Sequence, residues 1–222
     1  MTAKVKHPPG LSRTEMLTTV RKRIVNGLIP PGTKLVENDL MAEFVVSRSV
    51  VRSIFSTLEI EGLVEKRPNK GVSVRTVDFE TLIEIMEIRQ SLESMAARLA
   101  AQKTKAEDWQ DLAREMGEPF EDSVERLDFE KYFLMIAEFR RRILASARNE
   151  ELSKLVNSLF SKIRIVQRRI IILPGRMKEA IEEHRAVLKA IMDGNADEAE
   201  RLKRINLQNA TECLKKYKKW VF

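Results

Sequence analysis

Cysteine occurs once, at Cys213, and histidine twice, at His7 and His184, in 222 residues. A lone thiol closes no internal disulfide, which fits a reducing compartment. The histidines stand far apart, with no Cys-His cluster. No nucleophile–base pair and no glycine-rich phosphate loop accompanies them, so the sequence offers no enzyme chemistry. Apolar runs such as Ile170–Leu173 fall far short of the ~20 residues that cross a bilayer as a helix. Near the start, Lys4 and Lys6 lead into His7-Pro8-Pro9-Gly10 and not into an apolar stretch, so no signal peptide is expected. These absences predict a soluble, cytoplasmic protein that is not an enzyme.

Charge is plentiful but unevenly placed. The first 76 residues hold 13 Lys and Arg against 7 Asp and Glu, whereas the remainder holds 27 against 26. A basic small domain joined to a near-neutral larger one suggests a head that binds a polyanion and a body with another task. A chance excess of surface lysine is the plainer alternative. The organisation of the chain has to decide between them.

After an arm at residues 1–10, residues 11–77 read as a winged helix-turn-helix of three helices and a β-hairpin. Ser12 to Glu15 has capping-box spacing, and Leu17, Val20, Ile24 and Leu28 recur at helical intervals until Pro30-Pro31-Gly32. A second helix over Glu37 to Phe44 turns its Leu40, Met41 and Phe44 inward. Ser47 can cap a third, whose apolar face is Val51, Ile54, Phe55 and Leu58, ending at Gly62. Leu63–Glu65 and Val72–Val74 are strand-like, joined by Arg67-Pro68-Asn69-Lys70-Gly71 as a tight turn.

Residues 78–222 show no strand pattern. Helices are expected over Phe79–Gln102, from a Thr104–Glu107 capping box to Gly117, over Asp122–Ala147, from Asn149 to Ile171, from Gly175 to Asp193, and from an Asn195–Glu198 capping box onward. Short connections imply an antiparallel helical bundle. The fold class is thus mostly α, with a winged helix-turn-helix ahead of an all-α bundle.

On the third helix, Arg48, Ser49 and Arg52 lie opposite the apolar face. A guanidinium can fork onto guanine O6 and N7, and serine can meet phosphate. The residues expected at DNA are Asn38, Ser47, Arg48, Ser49 and Arg52, with Asn69, Lys70 and Gly71 on the wing.

The runs Gly27–Leu35, Val46–Arg52, Leu58–Val64 and Pro68–Gly71 closely resemble the GntR family of regulators. Ile88–Ala101, Phe139–Asn149 and Glu183–Ile191 resemble, in order, the FadR-type or FCD effector domain of that family. Val45 departs from the family's turn glycine and Val50 from a frequent proline. A β-branched residue in a turn demands adjusted or strained backbone angles. The resemblance implies a homodimer on a short palindromic operator, usually a repressor released by a small carboxylate-bearing metabolite.

In the second domain, three apolar stripes are each interrupted once by a polar residue. Arg140 falls within Phe129, Phe133, Ile136, Ile143 and Ala147; His184 within Met177, Ile181, Leu188 and Ile191; Asn206 within Ala199, Leu202, Ala210 and Cys213. Buried polar groups need partners, so three of them on different helices suggest one shared polar cavity. Each also has a plain explanation alone, such as a snorkelling arginine or a satisfied core histidine. The FCD resemblance implies a metal site of one Asp and three His, whose positions are here Ile136, Arg140, His184 and Asn206. No cofactor or metal is therefore expected. Arg140 would instead be the fixed positive charge for an anionic effector, with Arg89 as a second cation and His184 and Asn206 as hydrogen-bonding groups. The competing expectations are that Arg140 pairs internally with Glu93, and that the domain only dimerises.

Overall fold

The computed structural model describes residues 12–25, 27–67, 71–117, 120–121, 125–126, 128–171 and 173–221. These form two compact units, residues 1–77 with 161–168, and residues 78–160 with 169–222.

The first unit opens with α1 (Arg13–Val25). Ser12 and Glu15 form a reciprocal cap: the Ser12 N–H donates to Glu15 Oε2 at 2.9 Å and the Glu15 N–H to Ser12 Oγ at 3.3 Å. Met16, Leu17, Val20 and Ile24 are buried, but Leu28 is 74% exposed. The helix stops at Val25, and Gly27 at φ 75° turns the chain before Leu28 can join the stripe. α2 (Glu37–Phe44) and α3 (Arg48–Ile60) follow. Val51, Ile54, Phe55 and Leu58 of α3 are buried against α1 and α2 in one core. Arg21 of α1 grips Glu61, just past α3, through Nε at 2.7 Å and Nη2 at 2.5 Å.

The wing has a strand that the sequence pattern misses. β1 (Lys34–Leu35) pairs antiparallel with β3 (Gly71–Val74), which pairs with β2 (Val64–Arg67), giving the order β1-β3-β2. Two residues are too few for an alternation to register.

In the second unit, α4 (Phe79–Lys103) is capped by Asp78, whose Oδ1 accepts the Thr81 N–H at 2.7 Å. The capping box expected from Thr104 to Glu107 does not form. Thr104 closes α4 by donating to the Ala100 carbonyl at 2.7 Å, and the Lys105 N–H donates to Asp108 Oδ2 at 2.9 Å where a 3₁₀ turn (Ala106–Trp109) and α5 (Gln110–Glu115) open. Of the helix expected over Asp122–Ala147, Asp122 lies outside the described residues, and α6 (Phe129–Ser146) covers the remainder, with Asp128 accepting the Lys131 N–H at 3.0 Å. Then come α7 (Glu150–Ile171), α8 (Arg176–Met192), α9 (Ala196–Lys216) and a final turn at Lys218–Val221. α9 packs on α4 and α8, and α4 also packs on α6 and α8. Trp109 is 1% exposed and meets Phe139 edge-on, with ring centroids 6.4 Å apart.

Val45 ends α2 at φ 54°, ψ 50°, in the left-handed region. Its N–H is thereby turned back to the Met41 carbonyl, at the cost of placing a β-branched side chain where glycine is unstrained. That side chain is 49% exposed, so it gains little burial in return. Val45→Gly should therefore stabilise the head by about 1 kcal/mol. Urea unfolding of both proteins checks this, and a less stable glycine variant would contradict the strain.

Candidate nucleic-acid interface and buried polar site

Arg48, Ser49 and Arg52 are exposed on α3, opposite its buried face. Ser47 takes the N-cap position with extended backbone, but makes no capping bond. Its Oγ lies 2.8 Å from Ser49 Oγ instead, so the cap expected from sequence is replaced by a hydroxyl pair. Ser47's side chain thus leaves the Arg48 and Ser49 N–H groups for other acceptors, as suits phosphate, while the Val50 N–H donates to the Ser47 carbonyl at 3.1 Å.

Both arginines lean on α2. Arg52 Nε donates to Glu37 Oε1 at 2.8 Å; Arg48 Nε lies 3.5 Å from Glu37 Oε2, and Arg48 Nη2 donates to Asn38 Oδ1 at 3.0 Å. Asn38 therefore holds Arg48, and Glu37, expected only as the start of the second helix, was not among the residues expected at DNA. Gly71, at φ 84°, pairs with Arg67 where the wing folds back. Asn69 and Lys70 lie outside the described residues.

The second unit buries charge. Arg89 and Glu93 are each 3% exposed on the inner face of α4, and Lys203 is 5% exposed on α9. Glu93 is shared: its Oε1 accepts from Arg89 Nε at 2.7 Å, and its Oε2 lies 3.2 Å from Lys203 Nζ. Lys203 also donates to Asn206 Oδ1 at 3.2 Å, and Asn206 Nδ2 donates to Glu183 Oε2 at 2.7 Å. Glu183 then takes both Nη1 and Nη2 of Arg176, at 2.9 and 2.7 Å. One polar chain thus crosses α4, α9 and α8. Asn206 is occupied at both ends, a tie between Lys203 and Glu183 and not the open donor and acceptor that was expected.

Arg140 comes to the same place from α6. Its guanidinium carbon sits 3.3 Å from the centroid of the Phe160 ring, and that of Arg89 5.9 Å from the same ring. The carboxylate expected beside Arg140 as a rival partner, Glu93, is bonded by Arg89 and Lys203.

Burial would raise the Glu93 carboxyl, but Arg89, Lys203 and Arg140 outweigh it and hold it at about 2. Lys203 is pulled down by burial and by Arg89 and Arg140, while Glu93 opposes this. His184 is 6% exposed, edge-on to Phe139, with burial, Lys203 and Arg176 pushing it well below its usual range. It is a neutral imidazole, and its buried Nδ1 makes no hydrogen bond among the described residues.

A pocket of 560 Å³ opens elsewhere in this unit, lined by Phe129, Ile171, Leu173, Met177 and Ile181, with Glu121, Glu125 and Glu182 also on its wall. Arg89, Arg140, His184 and Asn206 do not line it. The polar cavity expected from the interrupted stripes is not this pocket.

Residues 84–209 match the FCD domain, and residues 15–74 match the bacterial regulatory proteins of the gntR family. This chain belongs to the GntR family. It resembles the HTH-type transcriptional regulator LutR of Bacillus subtilis, 30% identical over 87% of this chain and 97% of that protein. It also resembles the Nta operon transcriptional regulator of Aminobacter aminovorans, 33% identical over 62% of this chain and 64% of that one. Among solved structures, E. coli McbR/YncC shares the fold, with a TM-score of 0.72 at 21% identity over 93% of this chain and 99% of that chain. The protein is a DNA-binding transcription regulator and not an enzyme. Among its described residues, no helix is long and apolar enough to cross a membrane.

The metal that an FCD domain implies does not suit these residues. Ile136 has no lone pair to give, Arg140 is a cation, Asn206 is engaged at both ends, and His184 is a single imidazole among cations. Among the described residues, no group of three or more His, Cys, Asp or Glu could hold an ion.

Glu93's depressed value sets the sign of a pH effect. The stability it contributes is complete above its ordinary 4.5 and fades as pH falls toward about 2. Glu93→Gln strands Arg89 and Lys203 in the interior, which should cost about 3–5 kcal/mol at pH 7. The gap from the parent should narrow as pH falls below 4.5. Urea unfolding of both proteins at neutral and acid pH measures it; a gap independent of pH would contradict the assignment.

Proposed function

We propose that this GntR-family regulator acts as a two-fold homodimer on a short palindromic operator, and that a small carboxylate metabolite in the FCD unit controls its affinity, as a ligand-released repressor. The observation that carries the effector reading is the convergence of Arg89, Arg140 and Lys203 on one carboxylate, Glu93, beside the unsatisfied Nδ1 of His184. Cationic side chains gathered in one polar cluster suit an anion, and guanidinium forks onto a carboxylate by two charge-assisted hydrogen bonds. The site works without a metal, with Arg140 supplying the fixed charge and Asn206 holding Lys203.

At DNA, Arg48 and Arg52 read bases while Ser47, Ser49 and the α3 N-terminus meet phosphate. Asn38 and Glu37 orient the two guanidinium groups. Asn69, Lys70 and Gly71 place the wing on the backbone. One recognition helix reads only a few base pairs, so two half-sites are needed to find one operator in a genome.

Arg52→Ala should lower affinity for the selected operator by about 1–3 kcal/mol and relax its sequence preference. Lys70→Ala should weaken all sequences alike and flatten the salt dependence. Unchanged discrimination by Arg52→Ala, or a monomer by sedimentation both free and on DNA, would sink the DNA reading. Calorimetry against an organic-acid panel tests the effector. Arg140→Ala should abolish binding of any anion that stabilises the parent, and protein purified without chelator should carry less than about one transition metal per chain. A chain that binds no anion would leave the FCD unit as a dimerisation module.

A further inference from the structure

The pocket of 560 Å³ in the helical unit is lined, among the described residues, by no member of the polar chain that runs from Arg89 to Arg176. It lies where three helices begin or end. Phe129 opens α6, Ile171 closes α7, and Met177 and Ile181 stand one turn apart near the start of α8. Ile171, Leu173, Met177 and Ile181 are between 2% and 9% exposed, and with Phe129 they give the pocket an apolar floor. A cavity of this size and lining suits a small molecule whose apolar body is buried and whose orientation is fixed by a few polar groups.

The charged side chains of the lining are of both signs. Glu121 and Glu182 are both engaged by Arg185, Glu182 at 3.2 Å. Glu125 and Lys178 are exposed on the wall, and neither forms an ion pair among the described residues. The wall thus offers an open carboxylate and an open ammonium. The helix ends divide in the same way. α7 reaches the pocket with its carbonyl end, which favours a cation; α8 starts there with its N–H end, which favours an anion. The N-cap of α8 is Gly175, which has no side chain to satisfy those N–H groups.

We infer that this pocket is a second ligand site, for a zwitterion with a large apolar body, such as an α-amino acid with an apolar side chain. The side chain rests on the floor made by Ile171, Leu173, Met177 and Ile181. Lys178 and the first turn of α8 take the carboxylate, and Glu125 takes the ammonium. An apolar acid would leave Glu125 unanswered and an apolar amine would leave Lys178 so; a ligand carrying both charges answers both. The site is separate from the Glu93 cluster and does not depend on what binds there.

The test is calorimetry on the full-length protein with leucine, phenylalanine and tryptophan. Each is compared with its N-acetyl form, which lacks the ammonium, and with its amide, which lacks the carboxylate. At least one amino acid should bind about tenfold or more tightly than either of its derivatives. Lys178→Gln should bring that amino acid to within about threefold of its amide, and Glu125→Gln to within about threefold of its N-acetyl form. Both residues are exposed, so neither substitution disturbs the core. Arg140→Ala, which is not in the pocket's lining, should leave amino-acid binding unchanged. Binding lost in Arg140→Ala would move the ligand to the polar cluster and overturn the inference. Derivatives bound as tightly as the amino acids, a ratio unaltered in either pocket variant, or no binding of any of the three would overturn it too, and none of these last results touches the anion reading.

Discussion

A carboxylate shared by two cations inside a helical bundle constrains everything packed around it. Glu93 on α4 meets Arg89 of its own helix and Lys203 of α9, and the link continues through Asn206 and Glu183 to Arg176 on α8. Apolar side chains can slide past one another with modest loss; charges desolvated to this extent cannot part without leaving an ion in a low-dielectric interior. The register of α4, α8 and α9 is therefore pinned by polar contacts, while the alanine-rich contacts of α4 (Ala96, Ala97, Ala100) let neighbouring backbones approach closely.

The head is ordered on a different principle. Among its described residues the fully buried side chains are all apolar, and at its surface Glu37 collects Arg48 and Arg52 at the junction of α2 and α3. These contacts are exposed, so they contribute little to stability. Their effect is on geometry: Arg52 is held by its Nε at Glu37, and Arg48 by its Nη2 at Asn38 with its Nε near Glu37. The bend that brings Glu37 within reach passes through Val45, whose left-handed backbone sets the angle between the two helices.

Where side-chain periodicity and a cap agreed, the fold was legible in the sequence. The buried faces of α3 and α8 and the caps at Asn149 and Asn195 fall at the expected residues. The regulator family was legible too, because its motifs sit on the turn and the wing, where few residue types serve. Legibility failed where chemistry and burial disagree. Lys203 lies on the inner face of α9 between Ala199 and Leu207, but the stripe was drawn through Leu202 because lysine reads as surface. The result was a face turned by one residue and a missing cation. On α6, likewise, Phe139 is buried and Arg140 only half so. β1 was invisible because its two residues are defined by their partner in β3 and not by any pattern of their own.

The two tryptophans, Trp109 and Trp220, both fall after residue 77, so the head contains no indole. Trp109 is enclosed beside Phe139 in the helical unit's core. Tryptophan emission therefore reports on the helical unit alone, whereas far-ultraviolet ellipticity sums the helices of both units. The molecule carries its own optical label for one unit, and any difference between the two signals during denaturation measures how far the head and the helical unit lose their structure independently.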